Sequence, residues 1–371
     1  MNTQITLEEM RAIVADYIAA SKIASNTYTP TYDNTAGLLD KIAKTYTIVG
    51  LFEDKLPELD GDFLDGAKTL EEYYANLVKP TDFDSEGSDA LAPAPLTYMP
   101  ACYSYTLGRK KFKVTKYYDD LERAFNDVSE LGVALSLVTA NLYHSYAQFK
   151  FMAKKELLAK YASAAIAAMT SATAFAPSTN YKPGVYLKSG SVHGIVVKEI
   201  PATQSPALTW ATAVSGGYIV VLDLVSTLPV PTDTATGEAF IKEVKKYGKL
   251  SKYATEGNSL SGNAVGASTG MLLIINDVKV MPSIEVDTWA GAFHKEDALF
   301  DIDVKGVNDF GNDSNNVYAI MIDRRGCKLH NSYIAVRTQE NGSGDFLNYF
   351  LHTENTAAYS NFTFLHVFKS A

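Results

Sequence analysis

No proline or glycine interrupts the run from Val133 to Ala168. Within it, apolar residues recur at Leu135, Val138, Leu142, Tyr146, Phe149, Ala153, Leu157 and Tyr161. These steps of three and four hold to one side of a 3.6-residue helix. At ~1.5 Å per residue such a helix is roughly 50 Å long, more than a compact core demands, so it reads as a spine across the fold. Lys150, Lys154, Lys155 and Lys160 fall off the stripe. The helix dissolves into the small residues of Ser163 to Pro177.

The rest of the chain is mixed. Thr6 and Glu9 form a capping box ahead of Leu7, Met10, Val14, Tyr17 and Ile18, which recur at helical spacing. The polar stretch Ser25 to Thr35 reads as an extended arm. An arm with an amphipathic helix at its tip cannot bury that stripe on itself, so it must dock elsewhere, a neighbouring copy being one candidate. Tyr46 to Leu51 reads as a strand. Glu53 to Pro100 is too polar and too broken by turns for core: it holds Asp60-Gly61 and Asp65-Gly66 turns, a second capping box at Thr69 and Glu72, and the loop Pro80 to Pro95. It returns through Leu96 to Lys116, where Tyr103, Tyr105, Phe112 and Val114 suggest strand. A long excursion between two strands predicts a protruding hairpin, and loops of this length are usually functional or disordered.

Beyond the long helix the pattern turns to alternation. Strands are expected in Tyr181 to Lys198 and Leu208 to Val225. Glu238 to Tyr247 reads as a short helix with Phe240, Ile241 and Val244 inward and Gly248 as its stop. Gly262 to Gly270 reads as a flexible loop. Then come a buried strand at Met271 to Ile275, a helix at Ser283 to His294, and strands at Phe300 to Val307, Val317 to Ile322, Tyr333 to Thr338 and Phe362 to Phe368. This order predicts an α+β arrangement.

Composition narrows the function classes. The chain of 371 residues carries a net charge of −9, so as a whole it repels phosphate. Proteins that grip nucleic acid need a basic face to release counterions; DNA here would be enclosed and not gripped. No apolar run approaches the roughly 18 residues of a membrane helix. Met1 to Glu9 lacks the pattern of a cleaved signal. Cys102 and Cys327 give no disulfide framework and no zinc pattern. Aromatics are plentiful, with 23 Tyr and 17 Phe, residue types enriched where proteins touch one another.

Chemistry-bearing constellations are sparse. The six histidines have no helical zinc spacing, and there is no nucleophile elbow or phosphate loop. His294 with Asp297, and Asp323 with His330, are the pairs that a metal site or an acid–base reading would use; solvated or capping roles are the simpler reading. Asn312 to Asn316 lacks the spacing of a calcium loop. No cofactor or metal is expected. Two basic clusters stand against the acidic background: Arg109, Lys110, Lys111 and Lys113, and Lys245, Lys246, Lys249 and Lys252. They are either solvated faces or partners for acidic patches such as Asp60 to Asp65 or Asp82 to Asp89 of an adjacent copy, where charge would set register.

The run Gly61-Asp-Phe-Leu-Asp-Gly66-Ala-Lys-Thr-Leu-Glu71-Glu72-Tyr-Tyr74 resembles the extended-loop segment of major capsid proteins of small podoviruses. Lys111 to Tyr161 is similar to their peripheral strand and spine helix. Leu273 to Asn276 with Ile284 to Phe293 is similar to the strand and helix of their axial domain, and Asn348 to His352 with Tyr359 to Phe368 to their aromatic closing segments. The resemblance covers most of residues 35 to 371. It implies the Johnson fold of tailed-phage capsids: an N-terminal arm at 1–45, a peripheral strand at 46–60, an extended loop at 61–110, a peripheral domain with the spine helix at 111–175, an axial domain at 176–350 and a closing peripheral strand at 351–371.

It also implies no enzyme but a shell subunit, assembling as pentamers and hexamers around a double-stranded DNA genome without sequence-specific binding. Itself would be the main partner, joined by scaffolding protein and portal, with no membrane; the location would be the virion, after assembly in the host cytoplasm. Leu7, Met10, Val14, Phe63, Leu64, Leu70, Tyr73, Tyr74, Arg109, Lys110 and Lys111 are the expected contacts between copies. No immunoglobulin-like surface domain is expected after the last strand. The alternatives are an encapsulin-like nanocompartment shell and a cytosolic hydrolase using Asp323 and His330.

Overall fold

The computed structural model describes residues 52–65, 70–75, 98–101, 104–117, 128–203, 206–253, 255–263, 270–284, 302–311 and 316–371. The expected N-terminal helix, the arm and the strand at Tyr46 to Leu51 lie outside them. So do most of the loop at Gly262 to Gly270 and all but the first two residues of the helix expected at Ser283 to His294.

Strands β1 (Glu72–Ala75) and β2 (Tyr98–Ala101) pair antiparallel, with Glu72 opposite Ala101 and Ala75 opposite Tyr98. The passage therefore does go out and return. Glu72, expected in the first turn of a helix, opens a strand instead, since Tyr73 and Tyr74 suit a ladder. Strand β3 (Ser104–Tyr117) follows, then helix α1 (Val128–Thr170), 43 residues long. The helix overruns its expected ends and absorbs Gly132. Its stripe is the buried side: Leu142, Tyr146, Ala153, Leu157 and Tyr161 are all nearly inaccessible.

Next, β4 (Thr173–Ala174), β5 (Tyr186–Ser189), β6 (Val192–Val196) and β7 (Ile219–Leu222) lie side by side in that order. Leu208 to Val225 is not strand throughout. Helix α2 (Trp210–Ser215) interrupts it, started by a reciprocal cap in which Thr209 accepts from the Thr212 backbone and the Thr212 hydroxyl accepts from that of Thr209. Ala213 of this helix joins Tyr181, Leu187, Val196, Ile200 and Ile219 in a small separate core.

Strand β8 (Val225–Thr227), helix α3 (Thr234–Leu250), strand β9 (Met271–Asn276), helix α4 (Asp277–Ser283), and strands β10 (Asp303–Val307), β11 (Val317–Asp323), β12 (Cys327–Asn341), β13 (Phe346–Tyr359) and β14 (Leu365–Lys369) complete the chain. Five of them form a sheet in the order β10-β9-β11-β14-β8. Alternation along its strands sends one set of side chains to each face. Leu272, Ile274, Ile320, Ile322, Leu365 and Val367 pack into the core that holds Leu157, Tyr161 and Ala165 of α1. Leu273, Ile275, Ala319, Met321 and Phe368 pack with Phe240, Val244 and Tyr247 of α3. Covered on both faces, β9 is buried at all six residues, which is why it reads as an unbroken apolar run and not as an alternating one.

Helix α3 begins at an Asp233 cap that accepts from the Thr236 backbone at 2.8 Å and does not stop at Gly248, as expected. It runs to Leu250 and caps at Ser251. Gly248 is buried inside the helix, and a Cβ there would meet Ile302 at an ordinary contact distance of 3.6 Å; the residue does not end the helix. The third sheet, in the order β12-β13-β3, is built on a hairpin much longer than the expected Tyr333 to Thr338.

Two compact units divide the described chain. One holds 113–117, 128–144 and 338–350; the other holds the remainder. In the first, Thr115 donates to Asn348 Oδ1 at 2.7 Å and the Lys113 ammonium lies 5.9 Å from the centre of the Phe350 ring. Its hairpin turn is tied by Asn341 Oδ1, which accepts from the Ser343 and Gly344 backbones, and closed by Asp345 at a positive φ of 51°.

In the larger unit His366 of β14 is fully buried, with its ring stacked 3.5 Å from that of Tyr247. Nδ1 lies 3.0 Å from the Asp223 carbonyl and Nε2 2.9 Å from Ser226 Oγ. A carbonyl only accepts, so Nδ1 carries the proton and Nε2 accepts from the Ser226 hydroxyl. Burial lowers the imidazole pKa to about 4. The unfolded histidine takes up its proton near 6.5 and the folded one does not. Stability is therefore whole above that value and falls as pH drops towards 4. Chemical denaturation of the unassembled subunit should show a contribution of about 2 kcal/mol lost between pH 7.5 and pH 5, and His366→Gln should flatten that dependence.

Candidate functional site

The root of the out-and-back segment is where this chain concentrates its buried charge. Pro57 starts a single 3₁₀ turn, Pro57–Leu59, which sinks Leu56 and Leu59 completely into the core beside α1. The flanking acids, Asp54 and Asp60, are carried in with them. Lys154, off the periodic stripe, meets them there with no exposed surface. Its ammonium donates to Asp54 Oδ2 at 2.5 Å, to the Leu56 carbonyl at 2.7 Å and lies 2.8 Å from Asp60 Oδ1. Three donors thus find three acceptors, the condition under which a charge can be buried. Lys150, one turn earlier, takes the other Asp60 oxygen at 2.8 Å. Burial pushes the Asp60 carboxyl up, but hydrogen bonds and charge from Lys150 and Lys154 outweigh it and hold it below the ordinary range.

Two further lysines complete the clasp. Lys305 of β10 meets Glu58 at 2.6 Å, and Lys328 of β12 donates to the backbone carbonyls of Glu58 and Asp60 at 2.9 and 3.2 Å. Past Asp60 the chain lies along β12: the Gly61 N–H donates to the Leu329 carbonyl and the Leu64 N–H to that of Asn331. The first acidic patch proposed for contact with an adjacent copy is thereby corrected at Asp60, which is spent inside its own subunit. Gly61 has a physical role, since a Cβ there would lie 2.4 Å from the His330 ring.

Beyond the root, the expected contact residues change character. Phe63 is 56% exposed and Tyr73 62%, while Leu64 and Leu70 are half-buried. Tyr74 sits on β1. Arg109, Lys110 and Lys111 lie exposed on β3. Arg109 also serves its own chain, 3.4 Å from Glu354 and 4.5 Å over the Tyr333 ring. Leu7, Met10 and Val14 lie outside the described residues.

The pair on which a hydrolase would depend is occupied elsewhere. Both Asp323 oxygens bind Arg325, at 3.0 and 2.8 Å, and His330 Nδ1 faces the Asp62 carbonyl at 2.9 Å. Cys327 is buried, and burial drives its thiol pKa up, away from nucleophilic use. Among the described residues no cluster of His, Cys, Asp and Glu is suited to a metal, and no helix is long and apolar enough to cross a membrane.

A two-faced sheet sandwiched by a long helix, with an anchored out-and-back segment, defines a class: the α+β fold of tailed-phage capsids, the Johnson fold. The same fold is found in the capsid structure of Staphylococcus phage Andhra, at 11% identity over 95% of this chain and 90% of that one, with a TM-score of 0.54. It is found again in the structure of head fiber and inner core protein gp22 of native bacteriophage P68, at 10% identity over 94% and 90%, with a TM-score of 0.55. No curated protein matches the sequence. The chain belongs to the Phi29-like phage major capsid protein family, whose model matches residues 1–369. It is a structural protein of the phage head and part of the virion, and the encapsulin-like and hydrolase readings are not favoured.

Two substitutions test the root. Lys154→Met strands the Asp54 carboxylate and leaves Asp60 with Lys150 alone, and should cost roughly 3 kcal/mol; adding Asp54→Asn should recover part of it in denaturant titrations. Gly61→Ala should lower the melting temperature by steric conflict with His330, and His330→Ala in the same chain should relieve it.

Proposed function

We propose that this chain builds pentamers and hexamers of an icosahedral head that encloses double-stranded DNA. The sequence segments take the roles of arm (1–45), peripheral strand (46–60), extended loop (61–110), spine-bearing peripheral domain (111–175), axial domain (176–350) and closing strand (351–371). The observation that carries this reading is a contrast along one stretch of chain. The root at Asp54 to Asp60 is locked into its own subunit by four lysines, while Phe63 and Tyr73 beyond it stay more than half exposed. Exposed aromatic side chains on an anchored projection suit contact with another copy. Leu64, Leu70 and Tyr74 would extend that contact, Leu7, Met10 and Val14 would supply the arm's share, and Arg109, Lys110 and Lys111 would set register by charge.

The net charge of −9 fits a container that does not trap its genome during filling. Scaffolding protein and portal are further partners of this reading. The unassembled Phe63→Asp/Tyr73→Asp protein should keep its melting temperature within about 2 °C, because both side chains are exposed and surface changes are usually within ±0.5 kcal/mol. It should form no shells under conditions where the unsubstituted chain does, as read by negative-stain microscopy. Normal shells from that variant would contradict the assignment of these contacts.

A further inference from the structure

Asn341 ends β12, and Gly342 opens the turn that leads to β13 at Phe346. This is the one Asn-Gly pair in the sequence. The backbone nitrogen that follows an asparagine is placed to close on that residue's own Cγ, giving a five-membered ring. Three conditions govern the closure: access to the nitrogen, stabilisation of the charge that gathers on Oδ1, and freedom of the linking backbone. Glycine in the following position removes the side chain that otherwise shields the nitrogen.

All three conditions meet at this turn. Residues 341–345 are exposed, and nothing lies within 4 Å of where a Cβ of Gly342 would stand. Asn341 Oδ1 accepts from the Ser343 and Gly344 backbone N–H groups at 3.0 and 3.2 Å. Two donors on the oxygen that gains negative charge as the carbonyl is attacked act as an oxyanion hole. The linking bonds lie beyond the end of β12, outside its ladder. The two Asn-Ser pairs are held differently. Asn258 is 2% exposed and donates through Nδ2 to the Asp223 carbonyl. Asn331 Oδ1 accepts from the Tyr146 and Asn355 side chains, and its backbone carbonyl accepts from Leu64. Neither amide is free to turn onto the nitrogen that follows it.

We propose that Asn341 is a site of self-modification. The Gly342 nitrogen forms a bond to Asn341 Cγ, the Cγ–Nδ2 bond breaks, and the amide proton departs by way of solvent on the released ammonia. Water then opens the ring at one of its two carbonyl carbons. Attack at Cγ leaves aspartate; attack at the backbone carbonyl carbon leaves isoaspartate. Nothing is oxidised or reduced. Each event adds one negative charge to the hairpin tip, and isoaspartate adds one carbon to the backbone between β12 and β13.

The test incubates freshly purified full-length subunit at mildly alkaline pH beside a synthetic peptide of residues 337–347, with residue 341 followed by fragmentation mass spectrometry. A gain of about 1 Da at Asn341 is expected, as both aspartate and isoaspartate. Its half-life in the folded chain should fall within about tenfold of that in the peptide, because the two Oδ1 donors offset the loss of backbone freedom. Gly342 has no positive φ and open space beside it, so Gly342→Ala keeps the turn and should slow the reaction at least about tenfold. Slower conversion of the folded chain than that range, conversion to aspartate alone, an unchanged rate in Gly342→Ala, or equal conversion at Asn258 and Asn331 overturns the proposal.

Discussion

The fold turns on one ammonium group held where water does not reach. Lys154 is expensive to bury, and burial is tolerated only because Asp54, Asp60 and the Leu56 carbonyl meet all three of its protons. That arrangement fixes the spine helix to the segment that precedes the excursion, across about a hundred residues of sequence. Without it, Leu56 and Leu59 would have no reason to lie at their present height on the helix. The direction in which the following residues leave the core would be unspecified. Nonspecific apolar packing gives energy without register; the four-lysine clasp supplies the register.

From that fixed point the rest follows in layers. The central sheet is covered on one face by α1 and on the other by α3, so its strands need no polar side and β9 has none. The small sheet with α2 closes its own core. On the excursion side the chain is pinned along β12 from Gly61 to Leu64, with Phe63 exposed within that stretch and Tyr73 and the basic stretch of β3 exposed beyond it. The exposed aromatic and basic side chains beyond the buried root are those that the proposed contacts between copies would use.

Much of this was legible in the residues. Steps of three and four between Leu142 and Tyr161 specified the spine and its buried side, and the turn-rich passage ahead of it announced an excursion. The capsid resemblance agreed with the family to which the chain belongs. The burial of Lys154 is not legible in the sequence, because periodicity sees only neighbours along a helix and its acidic partners lie far away in sequence. Gly248 reads as a stop because glycine often follows the end of a helix, and nothing local reveals that this one runs on to Leu250. The Trp210 helix escaped notice although Thr209 and Thr212 stood at capping distance; six residues are too few for a period to show. The long β12–β13 hairpin exceeds the expected strand because the end of β12, Arg337 to Asn341, is polar on both faces and leaves no alternation to read. The contact residues are another matter, since exposure of Phe63 or Tyr73 is a property of the folded chain and not of composition.

The central claim is that the projecting segment of each molecule is completed by its neighbours. A cryo-electron microscopy map of particles assembled from the purified chain tests it most directly. The account predicts closed shells in which Phe63 and Tyr73 are covered by residues of an adjacent subunit while Lys154 remains enclosed by Asp54 and Asp60 of its own. Closed shells in which both aromatic side chains still face solvent would contradict it.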